Sequence, residues 1–329
     1  MVITKTPYRL SLFGGGTDYP SWFETHPSKV IAAAMANYCY LTVKKLPPFF
    51  EYGSRVIYSK IESVQEFSEI EHPSARACLQ YFDMPGGFSI THDGDLPARS
   101  GIGSSSSFTV GLLHALHAIK GGMISKEKLA QLAIHVEQNM IGESVGIQDQ
   151  IMASYGGIRV IQMGPGNKWV SEPLVLSDDY IKNFESHVML GFSGVSRYAE
   201  TMAKKKVDQI KRGDSYYYLS DINGLTNQAI DAFTDKKDMS EIGKLLQQGW
   251  TLKRQLAEGV TEMWIDDIYN EAIRAGALGG KLMGAGGGGF FFFLVPPEKQ
   301  EQFKEDMQSI KVWVPFKFDT QGSQIVLYS

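Results

Sequence analysis

The 329-residue chain predicts a mixed α/β fold, of the α+β kind, in two domains. Three observations carry that reading. The length suits one large or two medium domains with a substantial core. Strands in the first third lead into a glycine- and serine-rich loop that opens a helix. Past a boundary between Pro173 and Lys182 the composition shifts toward helices, so the domains are drawn at 1–175 and 176–329.

Composition narrows the function classes. Hydrophobic content of 43% and charged content of 21% are those of a globular chain, neither disordered nor membrane-embedded. The formal net charge of -4 offers nucleic acid or anionic lipid no overall attraction, so local basic residues must carry any phosphate recognition. Cys39 and Cys78 make neither a disulfide framework nor a paired metal spacing, which fits reduced thiols in the cytoplasm. Met1 to Arg9 contains no apolar core of signal-peptide length, and the longest apolar run, Phe290–Val295, is far too short to cross a bilayer. No export or membrane role is expected.

Along the chain, Val2–Lys5 and Tyr8–Phe13 alternate at period two and predict strands, broken at Pro7 and stopped by Gly14-Gly15-Gly16. Asp18 just beyond that turn, with Arg9 on the preceding strand, makes either a small-ligand corner or a tight turn whose Asp satisfies its own backbone. Val30–Val43 reads as a buried strand or strand pair, Arg55–Tyr58 and Phe88–His92 as strands, and Ser74–Phe82 as a short helix. Ser125–Ile141 predicts a helix with a serine cap and one apolar face. Glu137 lies near its C-terminal end, where the helix dipole disfavours a carboxylate and a compensating cation is expected. Asp149 follows the glycine-punctuated run Gly142–Gly146 at the head of a short apolar helix ending at Tyr155. Later helices are expected at Arg197–Arg212, Ser220–Phe233, Ser240–Leu256 and Thr261–Ala275. His114 and His117, three apart on a helix with no third ligand nearby, are assigned to packing rather than metal.

The most informative stretch is Pro97 to Ser107, followed by the helical run Phe108–Ile119. Gly101 and Gly103 allow a tight turn and a close backbone approach, and the unpaired N–H groups of a helix start attract anions. Arg99, Ser100, Gly101, Ile102, Gly103, Ser104, Ser105 and Ser106 are therefore the candidate phosphate-binding loop. A second glycine-rich run, Gly279–Gly289, leads into Phe290–Val295. It contains GxGxxG spacing but opens a strand, so it is no dinucleotide fingerprint, and Leu282 stands where a P-loop needs Ser or Thr.

Taken together these segments resemble the GHMP kinase superfamily, named for galactokinase, homoserine, mevalonate and phosphomevalonate kinases. Residues 97–107 are similar to its motif PxxxGLGSSAA, with Ile102 for Leu and Ser106-Ser107 for the alanines. The resemblance implies an S5-like N-terminal domain, a ferredoxin-like C-terminal domain, and an ATP-dependent kinase using Mg²⁺. It implies that Ser105 and Glu137 ligate the metal, with Ser104 the neighbouring candidate. Gly146–Gln150 resembles the GIMDQ segment of galactokinases, which makes Asp149 the catalytic base and Arg9 its partner. Where galactokinases carry GEHTDY this chain has Gly14–Tyr19, so two side chains beside the sugar are replaced by glycine. Arg9–Pro20 and Gly191–Arg197 are most similar to the branch acting on D-glycero-D-manno-heptose 7-phosphate, implying phosphorylation of the anomeric hydroxyl. Gly15, Gly16, Thr17, Asp18, Gly286 and Gly287 are then the expected sugar contacts, and Arg197 and Lys281 the candidate clamps for the 7-phosphate. A fucose or hexose kinase and a catalytically silent sugar-sensing homologue are the alternatives. The expected partners are a phosphosugar and ATP, with no nucleic acid or membrane and with a homo-oligomer allowed.

Overall fold

The computed structural model describes residues 1–47, 49–84, 86–195, 207–210, 212–256 and 260–329. Two sheets organise them. The first is built on two long antiparallel strands, β1 (Val2–Phe13) and β2 (Ser28–Lys45), whose apolar and alanine-rich sides are buried. Pro7 does not end the strand. It sits where the β1/β2 register shifts, so its missing N–H falls at an irregularity of the ladder and the two predicted strands are one.

β3 (Ser54–Ile57), β4 (Ile61–Val64) and β5 (Phe88–Gly94) extend this sheet beyond one half of β2, while β6 (Ile158–Gly164) and β7 (Lys168–Pro173) extend it beside the other half. Between them the chain forms α1 (Pro20–Phe23), α2 (Pro73–Tyr81), α3 (Ser104–Ile119), α4 (Lys126–His135) and α5 (Gln148–Tyr155). Ser125 caps α4 through its hydroxyl, as expected. The predicted helix to Ile141 is regular only to His135 and then widens into a π turn, Val136–Ile141, which carries Glu137.

The second sheet has the order β11-β8-β10-β9, with β8 Val188–Phe192, β9 Gly279–Leu282, β10 Phe290–Leu294 and β11 Val312–Val314. It packs with α6 (Asp178–His187), α7 (Tyr216–Thr234), α8 (Met239–Arg254), α9 (Met263–Arg274) and α10 (Gln300–Asp306). α6 forms in a stretch for which the sequence predicts no helix. β10 is buried on both faces: Phe290 and Phe292 join the core shared with β1 and α3, and Phe291 and Phe293 join a second core with Trp250 and Ile268. Period-two alternation thus places one aromatic strand between two hydrophobic layers.

The last strand, β12 (Gln324–Tyr328), leaves the second sheet and pairs with β1 at the edge of the first. Just before it, Ala36 N–H donates to Lys317 and Asp319 N–H to Ala34. A cut at residue 175 therefore separates the first sheet from one of its own strands. His114 Nδ1 and Ser323 Oγ share a hydrogen bond at 3.0 Å, and both cysteines are buried free thiols. Among the described residues no helix is long and apolar enough to cross a membrane.

Candidate active site

The site is assembled from the start of α3, the end of β1 and the start of α5. Gly103, in a left-handed conformation, forms the N-cap of α3, and no side chain caps that helix. Its first-turn N–H groups are thus left to an incoming anion, in a 16-residue helix whose dipole favours negative charge there. The loop ahead of it is braced from within: Ser100 Oγ donates to the Pro97 carbonyl at 2.6 Å, and Arg99 N–H to Ser104 Oγ at 3.2 Å. Ile102 is buried, and its carbonyl accepts from Arg9 N–H at 3.0 Å.

The second glycine-rich run closes on this loop from behind. Phe290 N–H donates to the Ser100 carbonyl at 3.1 Å, and Gly284 lies so close that a Cβ there would stand 2.5 Å from Gly101 Cα. Two main chains touch without side chains between them, which explains so many glycines before an aromatic strand. Gly286 and Gly287 both have positive φ in this turn, and Gly286 abuts the Val260 backbone.

Arg9 links the parts. Its Nε and Nη2 donate to the two oxygens of Asp149 at 2.6 and 2.9 Å, and Nη1 donates to the Gly101 carbonyl at 2.5 Å. One side chain therefore fixes the orientation of Asp149 and its position against the phosphate loop. The Asp149 side chain remains 22% exposed, enough for a substrate hydroxyl to reach. Burial raises its pKa above the usual carboxylate range, the Arg9 charge and hydrogen bonds oppose that, and Asp18 adds to the rise.

Glu137 is fully buried. Its Oε2 accepts from Ser106 Oγ at 2.9 Å and from Gln150 Nε2, while Oε1 has no hydrogen-bond partner. Burial and nearby Glu143 push its pKa up to about 8 against the pull of Gln150, Thr109 and Ser106. A buried carboxylate with an orphaned oxygen, beside a hydroxyl and an amide, is a hard-oxygen set that suits Mg²⁺. The serine in contact with Glu137 is Ser106; Ser105, expected there, is exposed one residue earlier on the helix.

Other expected contacts need correction. Thr17 and Asp18 are buried and used by the turn itself: Thr17 Oγ1 donates to the Gly14 carbonyl, and Asp18 Oδ1 accepts from Gly16 N–H. The turn is self-satisfied in this way, and the half-buried Gly15 is the glycine whose backbone it can offer a ligand, since Gly16 is buried and its N–H is taken by Asp18. Lys281 is buried, and its Nζ donates to the Leu12 carbonyl at 2.8 Å beside a cavity of about 20 Å³. That hydrogen bond ties β9 to β1. Arg197 lies outside the described residues. Gln148 and Gln150, which hold Asp18 and Glu137, were not singled out by sequence reading; their places flanking Asp149 were the available signal.

With this geometry in hand, likeness to known proteins is decisive. Residues 70–157 match the family description GHMP kinases N terminal domain, and residues 229–311 match GHMP kinases C terminal, together more than half of the chain. The chain belongs to the GHMP kinase superfamily. This GHMP kinase is 26% identical over 295 residues to the D-glycero-alpha-D-manno-heptose 7-phosphate kinase of Campylobacter jejuni, covering 86% of each chain. It is 25% identical to the galactokinase of Pyrococcus furiosus, over 87% of this chain and 86% of that one. In fold it matches a D-glycero-D-manno-heptose 1-phosphate kinase from Bacteroides thetaiotaomicron with a TM-score of 0.80 at 23% identity over the whole of both chains. The galactokinase of Lactococcus lactis, solved with galactose, gives 0.74 at 18% identity, over 99% and 94% of the two chains. This GHMP kinase is accordingly an enzyme that transfers phosphate from ATP to a sugar hydroxyl, with the family's two-domain α/β fold.

Proposed function

We propose that this kinase phosphorylates the anomeric hydroxyl of D-glycero-D-manno-heptose 7-phosphate, giving the 1,7-bisphosphate. The observation that carries the proposal is the sugar corner itself. At this corner the turn presents the half-buried backbone of Gly15, where a galactokinase has a side chain, and no carboxylate projects from it because Asp18 is buried beneath. A corner without a protruding side chain or exposed negative charge admits a substrate that is both larger than a hexose and anionic. The likeness to the Campylobacter enzyme over 86% of both chains supports the same reading. The comparable identity to a galactokinase keeps a neutral hexose as the second reading.

In this mechanism Asp149 accepts the proton of the anomeric hydroxyl as the O1–P bond forms and the bond from the γ-phosphorus to its bridging oxygen breaks, releasing ADP. Arg9 keeps Asp149 in the orientation that faces the hydroxyl. The open N–H groups of α3 hold the nucleotide phosphates, and Arg99 to Ser106 shape that loop. Glu137, with Ser106 or Ser105 and Gln150 around it, would hold Mg²⁺, which when bound neutralises charge on the transferring phosphate. For the 7-phosphate the basic candidate remains Arg197, on the strength of its sequence segment Gly191–Arg197 alone. The reaction is placed in the cytoplasm, where ATP is available.

One assay tests the reading: phosphate transfer from Mg-ATP to heptose 7-phosphate, galactose, fucose and mannose, with the product position assigned by phosphorus NMR. Selective formation of a 1,7-bisphosphate is expected, and Asp149→Asn should lower turnover by ~10²–10⁴-fold while ATP still binds. Transfer only to a neutral sugar would overturn the heptose assignment and leave the kinase; near-normal turnover by Asp149→Asn would remove Asp149 from the chemistry.

A further inference from the structure

Lys253 is a buried charge that the mechanism above does not use. It sits in the last turn of α8, 7% exposed, and its Nζ donates to the Leu282 carbonyl at 2.7 Å and to the Gly284 carbonyl at 2.8 Å. The centre of the Trp250 ring, one turn earlier, is 5.8 Å from the same ammonium, close enough for the ring face to favour the charge. The two carbonyls belong to the end of β9 and to the glycine turn that follows it. β9 is the edge strand of its sheet, paired with β10, and α8 lies along it. Gly243 packs on the Gly279 backbone with no room for a Cβ, Gln247 Nε2 donates to the Leu278 carbonyl at 2.9 Å, and Lys253 comes last. Residues four to six apart on one helix thus bind main chain from the start of the strand to the turn beyond it.

What that turn touches connects the ammonium to the reaction. Between the two bonded carbonyls, the Met283 carbonyl faces the phosphate loop, where a Cβ on Gly101 would stand 2.7 Å from it. Gly284 abuts Gly101 Cα, and at the far end of the turn Phe290 N–H donates to the Ser100 carbonyl. The phosphate loop therefore rests on backbone that Lys253 holds from behind. Gly284, Gly286, Gly287, Gly288 and Gly289 all have positive φ and bring no side chains, so a segment with so much conformational freedom must be fixed by its neighbours. An ammonium has three donors and serves both carbonyls at once. We propose that Lys253 is a positioning residue for ATP: by binding the Leu282 and Gly284 carbonyls it fixes the glycine turn as the seat on which Ser100–Gly103 takes the shape that receives the nucleotide phosphates. Removing the donors leaves two buried carbonyls short of a partner and lets the seat shift. The inference rests on the reading of residues 97–107 as the phosphate loop and is independent of which sugar is the substrate.

The test uses the full chain, with steady-state kinetics on whichever sugar of the panel the wild type phosphorylates and hydrogen exchange read by mass spectrometry. Lys253→Met keeps the unbranched shape and removes every donor. KM for ATP should rise about fivefold or more, kcat should fall by a smaller factor, and KM for the sugar should stay within about twofold of wild type. Without nucleotide, exchange in peptides from 97–107 should be faster than in the wild type while peptides from β6 and β7 exchange as before. In a Gly284→Ala background, where a Cβ already displaces the turn from Gly101, Lys253→Met should raise KM for ATP by less than about twofold further. An unchanged KM for ATP, faster exchange throughout the chain with no change confined to 97–107, or additive effects of the two substitutions would each overturn the proposal. A raised KM for the sugar with that for ATP unchanged would overturn it too and make Lys253 a substrate ligand. If Lys253→Met does not fold, Lys253→Gln decides: it keeps a neutral donor on a shorter side chain and should show the same split on a smaller scale, and a KM for ATP equal to wild type would overturn the proposal. Mg-ATP should slow exchange at 97–107 in the wild type. Absence of that protection would refute the phosphate-loop reading itself, whereas protection in the wild type with an unaltered Lys253→Met refutes the role of Lys253 alone.

Discussion

Glu137 shows how one residue's environment states its task. A carboxyl held in the interior by Ser106 and Gln150, with its second oxygen unpartnered, has its pKa pushed from 4.5 up to about 8 by burial. The folded protein therefore keeps a proton that the unfolded chain releases. This contribution to stability is fully present below the unfolded pKa of about 4.5 and is lost as pH rises through about 8. Without Mg²⁺ the melting temperature should fall across that window, and added Mg²⁺ should recover part of the loss at the alkaline end by pairing with the carboxylate. Glu137→Gln should abolish turnover yet melt higher than wild type at pH 8 in chelator, with no response to Mg²⁺, because a neutral amide needs neither proton nor cation. Thermal unfolding with and without Mg²⁺ checks this, and a Glu137→Gln protein that still gains stability from Mg²⁺ would place the ion elsewhere. The sequence marked Glu137 through its position late in a helix, but Gln150, which holds it, was marked only by its place beside Asp149, and nothing in a single chain says which glutamine turns inward.

Among elements, the contact between the phosphate loop and the turn before β10 decides the site. Ser100 and Gly101 meet Gly284 and Phe290 backbone to backbone, so the loop's shape depends on a segment nearly two hundred residues later. Gly284 has φ +71 and no room for a Cβ against Gly101. Gly284→Ala should destabilise the fold by about 1–3 kcal/mol through strain and displacement, and should raise KM for ATP more than it lowers kcat. Denaturant unfolding with steady-state kinetics measures both, and unchanged stability and KM would mean the loop does not depend on this contact. Elements with clear periodicity were legible: the predicted helices at Ser220–Phe233 and Ser240–Leu256 form as Tyr216–Thr234 and Met239–Arg254. α6 and the π turn were not, since α6 follows a run of short strands and the π turn differs from a regular helix only in which carbonyl accepts each N–H.

For the whole molecule, the first sheet is completed by the end of the chain. β12 pairs with β1, and Lys317 and Asp319 bond to Ala36 and Ala34 on β2. Residues 1–175 alone would expose the β1 edge and the core face covered by Phe290 and Phe292, so this fragment should aggregate or show poorly dispersed amide resonances. A monomeric, well-dispersed fragment would show the first sheet to be independent of the tail. By itself the sequence determined the loop that opens α3, the glycine run before an aromatic strand, the order of Arg9, Glu137 and Asp149, and through them the family. These are local patterns, carried by residues near one another in the chain. Only the tertiary structure decided that Ser106 rather than Ser105 touches Glu137, that Lys281 binds a carbonyl, that Gln148 grips Asp18, and that β12 returns to β1. Each depends on which side chains and edges meet across more than a hundred residues or from helix to loop, and that is set by packing and burial rather than by local preference.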